Sequence, residues 1–287
     1  MKEIASNIYV ATEYALVTVG AILSSAGWVC VDTPPHPDDA QAWLDVLRKT
    51  ADKPILYVIN TDHHRDRIVG NAWFKAPVIA HTAAARQMLA LGSSFIAQAA
   101  EELSVDNNEL VQIASVKVVP PQISFTDSLI IEAGNRQIEL FSRPSATLGS
   151  TWVILKDEKV VFAGDSIAVN QHPYISDGAS KAWLDALRLL RLERNADMIV
   201  VPGREKPTTP AATDQLSEYL RVARRRMNSL VYAERPRSEI GQVVPEFLAM
   251  FPYPSSRREA IQRRVKAGLE AIYEEMRSKS DDDGEGE

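Results

Sequence analysis

The sequence predicts an α+β fold in which two groups of strands form a sandwich covered by helices, followed by a helical extension. Three observations carry this. Short apolar, β-prone runs fall into two sets, residues 7–80 and 123–163, with helical periodicity between them. A polar stretch, Asp157-Glu158, separates two β-prone runs as a hairpin turn would. Beyond Pro210, apolar residues recur almost wholly at helical spacing.

In chain order, strands are expected at residues 7–11, 15–19 and 28–32. Residues 37–50 then read as a helix: Pro37 stands near its start, where a missing N–H costs nothing, and Ala40, Trp43, Leu44 and Leu47 share one face. Ile55 to Ile59 is an apolar run suited to a buried strand, and residues 77–80 form another. Residues 83–91 are helical and 95–112 mixed with a helical lean. Strands return at residues 123–125, 129–132, 137–142, 151–156 and 159–163. A helix over 181–192 and a strand over 198–201 follow. In the extension, Leu216, Tyr219, Leu220, Ala223, Met227, Leu230 and Val231 mark one helix. A second set, Ile261, Val265, Leu269, Ile272 and Met276, marks another.

Composition narrows the function classes. The chain has 287 residues, 45% of them apolar, and a net charge of -6, which gives no global reason to expect nucleic acid. There is no signal-peptide core and no apolar stretch long enough to span a bilayer, so no membrane partner and a cytoplasmic location are expected. The single cysteine, Cys30, lies in an apolar run and reads as a small buried residue. Residues 211–280 carry 13 basic and 9 acidic groups, whereas residues 1–210 carry 19 basic and 24 acidic. The extension is therefore expected to pack on the acidic body or to join two copies of the chain as a homo-oligomer. Residues 281–287 are all Asp, Gly and Glu, and are expected to be disordered.

The most informative stretch is Asn60-Thr61-Asp62-His63-His64-Arg65-Asp66-Arg67, which follows the Ile55–Ile59 run. Polar residues packed at the end of a buried strand commonly belong to a site on a rigid scaffold. Two histidines between two aspartates offer nitrogen and oxygen ligands suited to zinc or a similar ion. Arg65 and Arg67 place fixed positive charge in the same loop. Three more segments belong with it: Ser145-Ala146-Thr147-Leu148-Gly149-Ser150, Ala163-Gly164-Asp165-Ser166 and Val201-Pro202-Gly203-Arg204.

In these four segments, in their order and spacing, the chain resembles the metallo-β-lactamase-fold superfamily. That family carries His-x-His-x-Asp-His, then a Gly-His-Thr-type turn, a Gly-Asp and a Pro-Gly-His. The stretch from His172-Pro173-Tyr174 to Trp183-Leu184-Asp185 also looks like the family's segment ahead of the Pro-Gly-His. The resemblance covers about residues 5–210. It implies a four-layer αββα sandwich over residues 1–210; the helical periodicity beyond it makes residues 211–280 an extension expected to pack on the same domain. Carried over residue by residue, the first family metal site falls on Asp62, His64 and Ala146. The second falls on Asp66, Arg67 and Arg204, with Asp165 as the bridging aspartate. An alanine offers no lone pair and a guanidinium none for a metal, so the resemblance leaves Asp62, His64 and Asp165 as ligands for at most one ion.

Two functions follow as expectations. In the first, the dinuclear centre is replaced by an Arg/Asp/His cluster, no cofactor is needed, and the pocket binds a small anionic molecule or a partner. Arg67, Arg204, His63 and His36 are then the ligand-binding residues; His36 is included because it follows Asp32-Thr33 at a strand end. In the second, the chain is a hydrolase of esters, lactones, thioesters or phosphodiesters. It uses one Zn, Mn or Fe ion on Asp62, His64 and Asp165, with His63 or His172 completing the shell and Asp66 as general base. His81 and His172 otherwise read as structural.

Overall fold

The computed structural model describes residues 1–14, 16–92, 94–104, 106–175 and 179–284, with side chains through Ser278. The chain divides into two compact units. The first comprises Met1–Ser142, Gly149–Gly164 and Met198–Thr208; the second comprises Arg143–Leu148, Asp165–Asp197 and Thr209–Glu287.

Both sheets lie in the first unit. Strands β1 (Lys2–Ala5), β2 (Ile8–Ala11), β3 (Val19–Leu23), β4 (Trp28–Val31), β5 (Ile55–Ile59), β6 (Val78–His81) and β7 (Ile123–Phe125) form a seven-stranded sheet in sequence order. Strands β8 (Ser128–Ala133), β9 (Arg136–Ser142), β10 (Thr151–Leu155), β11 (Val160–Gly164) and β12 (Ile199–Pro202) form a five-stranded sheet in the order β12-β11-β10-β9-β8. Between them lie Ile8, Val10, Ile22, Val29 and Val31 from the first sheet, and Ile138, Leu140, Val153, Leu155 and Phe162 from the second. Alternation along β4 sends Val29 and Val31 into this layer and Trp28 and Cys30 to the opposite face, where all four are buried. The α+β sandwich expected from the sequence is the fold observed.

Helix α1 (Pro37–Thr50) covers that opposite face through Ala40, Trp43 and Leu47. Asp38 and Asp39 in its first turn and Arg48 and Lys49 in its last both complement the helix dipole. Short helices α2 (Arg65–Ile68) and α3 (Asn71–Phe74) follow β5, α4 (Thr82–Leu89) follows β6, and α5 (Ser94–Leu103) and α6 (Asn107–Ala114) precede β7. The mixed stretch 95–112 thus divides into two helices, the second capped by the Asp106 carboxylate accepting from the Glu109 N–H.

The strand expected at 15–19 is displaced. Ala15 lies outside the described residues, Leu16 has φ of 69°, and Thr18 donates its N–H to Gly203 O at 2.8 Å instead of joining a ladder. The true strand, β3, runs through Gly20, whose absent side chain leaves room for the Phe162 ring from the facing sheet. Gly20 reads locally as a strand terminator, and only sheet-on-sheet packing reveals why it sits mid-strand.

The second unit holds α7 (Ser180–Leu190), α8 (Asp214–Tyr232), α9 (Ile240–Leu248) and α10 (Arg258–Gly284). The periodic residues Leu216, Tyr219, Leu220, Ala223 and Met227 of α8 are buried, as are Val265, Leu269 and Ile272 of α10. Glu275 of α10 ties the three long helices together, accepting from the Ser180 N–H at 2.9 Å and from Arg224 at 3.0 Å. The backbone of α10 reaches Gly284, and the last three residues of the acidic tail lie outside the described residues. No described helix is long and apolar enough to cross a membrane.

Candidate functional site

Parallel pairing of β4 with β5 brings the carboxyl ends of both strands to the same edge of the sheet, with Val31 opposite Ile59. The chain leaves β4 as Asp32-Thr33 and β5 as Asn60-Thr61-Asp62, and all five side chains are buried. Buried polar groups must find partners, and here they find one another. Thr61 donates its N–H to Asp32 Oδ1 at 2.8 Å and its hydroxyl to Asp32 Oδ2 at 2.7 Å. Asn60 and Asn71 exchange amide hydrogen bonds of 3.1 and 2.7 Å. Asn60 Nδ2 and the Thr33 hydroxyl both donate to Arg67 O, at 3.1 and 2.7 Å. This brace fixes the backbone of α2, which carries Asp66 and Arg67.

On this support sit two ion pairs. Asp62, 1% exposed, accepts the His64 N–H at 2.9 Å and lies 3.2 Å from His64 Nδ1. Arg67 is fully buried, at 0% exposure, and aims Nε at Asp62 Oδ1 from 3.3 Å. Its Nη1 donates to Gly203 O at 3.2 Å. One position on, Arg204 places Nη1 2.6 Å from Asp66 Oδ2 and 2.8 Å from Leu16 O. Five residues spread over 143 positions of sequence, Asp62, His64, Asp66, Arg67 and Arg204, therefore form one connected cluster within the first unit.

The remaining sequence candidates take different places. His63 is half-buried beside His64, with ring centroids 5.8 Å apart. His36 is buried and pairs through Nδ1 with Glu109 of α6 at 3.0 Å. Asp165 opens a segment of the second unit and is 5% exposed; Ala146, also in that unit, is fully buried. Just before Asp165, Gly164 adopts φ of 56°, and a side chain there would collide with Thr61. His81 caps α4 by accepting the Ala83 N–H on Nδ1, which leaves Nε2 to donate to Thr126 O at 2.7 Å. His172 is held among Phe251, Tyr253 and Tyr219 in the second unit, and burial, then Arg264, lowers its pKa. Both fit structural roles.

Asp32 is the site residue that the sequence did not single out. Its carboxyl is pushed up to about 7, first by burial and further by Asp62, against the opposing pull of Arg67 and the two Thr61 donors. The folded value lies above the usual carboxylate value of about 3.9, so the native state holds the proton more tightly than the unfolded chain. This contribution to stability is fully present below about pH 4 and lost as pH rises through about 7. Asp32→Asn retains a Thr61 acceptor, tolerates the left-handed backbone (φ 55°), and cannot ionise. Urea midpoints at about pH 5.5 and 8 should show the parent losing stability relative to the variant as pH rises; a constant difference would contradict the assignment.

Comparison with known proteins agrees with this fold. The family profile described as Metallo-beta-lactamase superfamily matches residues 15–204. A metallo-beta-lactamase family protein from Thermus thermophilus superposes with a TM-score of 0.66 at 18% identity, covering 96% of this chain and 94% of that one. A metallo-beta-lactamase from Pontibacter korlensis gives 0.58 at 18% identity, over 77% and 97%. A stereoselective inverting sec-alkylsulfatase from Pseudomonas sp. gives 0.68 at 16% identity, covering 95% of this chain but 49% of that one. At such identities the structural neighbours speak for the fold alone, whereas the family match spans most of the chain: this chain belongs to the metallo-beta-lactamase superfamily.

Proposed function

We propose that this chain keeps the superfamily fold while an Arg/Asp/His cluster stands where the family builds a dinuclear metal centre, and that the cluster binds a small anionic ligand. The observation that carries this reading is Arg67, fully buried with its guanidinium on Asp62, one residue from an Asp66 that is paired with Arg204. Arg67 and Arg204 occupy the motif positions of two family metal ligands, and a protonated guanidinium has no lone pair for a cation. A second metal therefore does not fit the residues present. Two guanidiniums bring the charge of one divalent ion, and buried carboxylates without such a counter-charge would take up protons. Arginines with planar arrays of donors also suit carboxylate and phosphate groups.

A second reading has one observation in its favour: Asp62 lies 3.2 Å from His64 Nδ1, so a carboxylate and an imidazole stand together for a single ion, and the family resemblance adds Asp165 as the third ligand. Two carboxylate oxygens and an imidazole nitrogen are competent ligands for zinc, manganese or iron. Under this reading the chain is a metal-dependent hydrolase in which Asp66 takes the proton of the attacking water.

Thermal unfolding with and without a strong chelator separates the two. Under the first reading the midpoint moves by no more than about 1 °C. A bound ion present at a hundred times its Kd contributes about 2.7 kcal/mol, so under the second its removal lowers the midpoint by about 5–10 °C.

A further inference from the structure

A cavity of about 570 Å³ opens at the other end of β5, where Pro54 leads into Ile55, the first residue of the strand. Five strand residues at about 3.3 Å each separate it from the Asp62 cluster. The apolar surface it exposes comes from Leu44, Pro54, Ile55 and Trp73, with Trp28, Leu47 and Phe74 buried behind them. Trp28 and Phe74 are 0% and 4% exposed, and the Trp28 indole is fixed by donating to Ala51 O at 3.0 Å, so the layer behind this surface is rigid. Trp73 is half-buried and offers part of its ring to the space.

Three cations, Arg48, Lys53 and Lys75, also line the cavity, and among the described residues no carboxylate does. Lys53 is anchored, its ammonium donating to Ser25 O at 2.6 Å and Ser24 O at 3.2 Å, which leaves one of its three donors over. Arg48 approaches Asp45 only at 3.7 Å with its side chain 68% exposed, so that pair holds it weakly. Lys75 ends α3 at φ of 50°, a left-handed position usually given to glycine. The carboxyl end of α1 brings roughly half a negative charge to the same region, which three cations outweigh. The volume and the mixture of aromatic wall with few charged groups are those of small-molecule sites, typically about 300–1,000 Å³.

We propose that this cavity is a second binding site, for a small amphipathic anion: a carboxylate or phosphate head held by Arg48, Lys53 and Lys75, with an apolar body against Trp73, Leu44 and Ile55. The site is independent of the Asp62 cluster, sharing no residue with it. Isothermal titration calorimetry on the full chain tests it with octanoate and phenyl phosphate as probes and phenol as the neutral control. Arg48→Gln with Lys75→Gly removes two of the cations while respecting the helix and the left-handed backbone, so the fold and its melting temperature are retained. The expected result is one-site binding of at least one anionic probe at millimolar or tighter Kd, weakened at least about tenfold in the double variant, with no saturable binding of phenol. Octanoate alone binding identifies an acyl carboxylate, and phenyl phosphate alone an aryl phosphate. The proposal is overturned if neither anion binds the parent, if the double variant binds as the parent does, or if phenol binds as well as the anions.

Discussion

Arg67→Ala is expected to destabilise the protein by about 3–5 kcal/mol near neutral pH, because it leaves the Asp62 carboxylate buried without its guanidinium. Native stability is usually about 5–15 kcal/mol, so the loss is a large share of the total. The same substitution removes the donor to Gly203 O, loosening the turn that carries Arg204. Urea unfolding reads the effect directly. Two features separate it from the loss of packing volume: the deficit should shrink in mild acid, where Asp62 can be protonated, and Asp62→Asn in the same chain should recover part of it. Arg204→Ala should act in the same direction but less strongly, since its side chain is 11% exposed. Alanine variants that unfold with the parent would show that neither guanidinium serves as a counter-charge.

The second large effect is a gain. Arg67→His together with Arg204→His exchanges two side chains that cannot bind a cation for two that can, beside an Asp66 carboxylate that Arg204 already touches. The metal-free double variant should be less stable than the parent, since both ion pairs are gone. Zinc should then restore stability in proportion to RT ln(1 + [L]/Kd), about 2.7 kcal/mol at a hundredfold excess over Kd, while leaving the parent unmoved. Calorimetric titration with zinc checks the affinity and thermal unfolding the linkage. A double variant as indifferent to zinc as the parent would mean that positions 66, 67 and 204 do not converge on one cation position.

Much of this was legible in the chain because the signals are local. The Ile55–Ile59 run, the periodicity of α1, and the apolar faces of α8 and α10 each declare themselves within one element. The Asp62-to-Arg67 loop and Pro202-Gly203-Arg204 were readable for the same reason, as contiguous motifs with fixed chemistry. What escaped either lacks a local apolar pattern or depends on partners elsewhere in the chain. Strand β1 is an edge strand whose Lys2 and Glu3 are exposed, so it lacks an apolar pattern. Helices α2 and α3 are four residues each, too short for periodicity to show. Asp32 gains its role only because parallel pairing sets it beside Thr61, and the sign of that contact was available as polar residues following two buried strands, Asp32-Thr33 and Asn60-Thr61. The Asn60–Asn71 exchange likewise needs the turn between β5 and α3 to be known first.

The claim that Arg67 and Arg204 stand in place of metal charge is tested most directly by counting metal. Protein purified without chelator should be analysed for zinc, manganese and iron by mass spectrometry against an amino-acid-based concentration. Arginines occupying two ligand positions predict well under two equivalents in total. Two equivalents of tightly held metal per chain, as in the paired centres where ions sit about 3.5–4 Å apart, would contradict it.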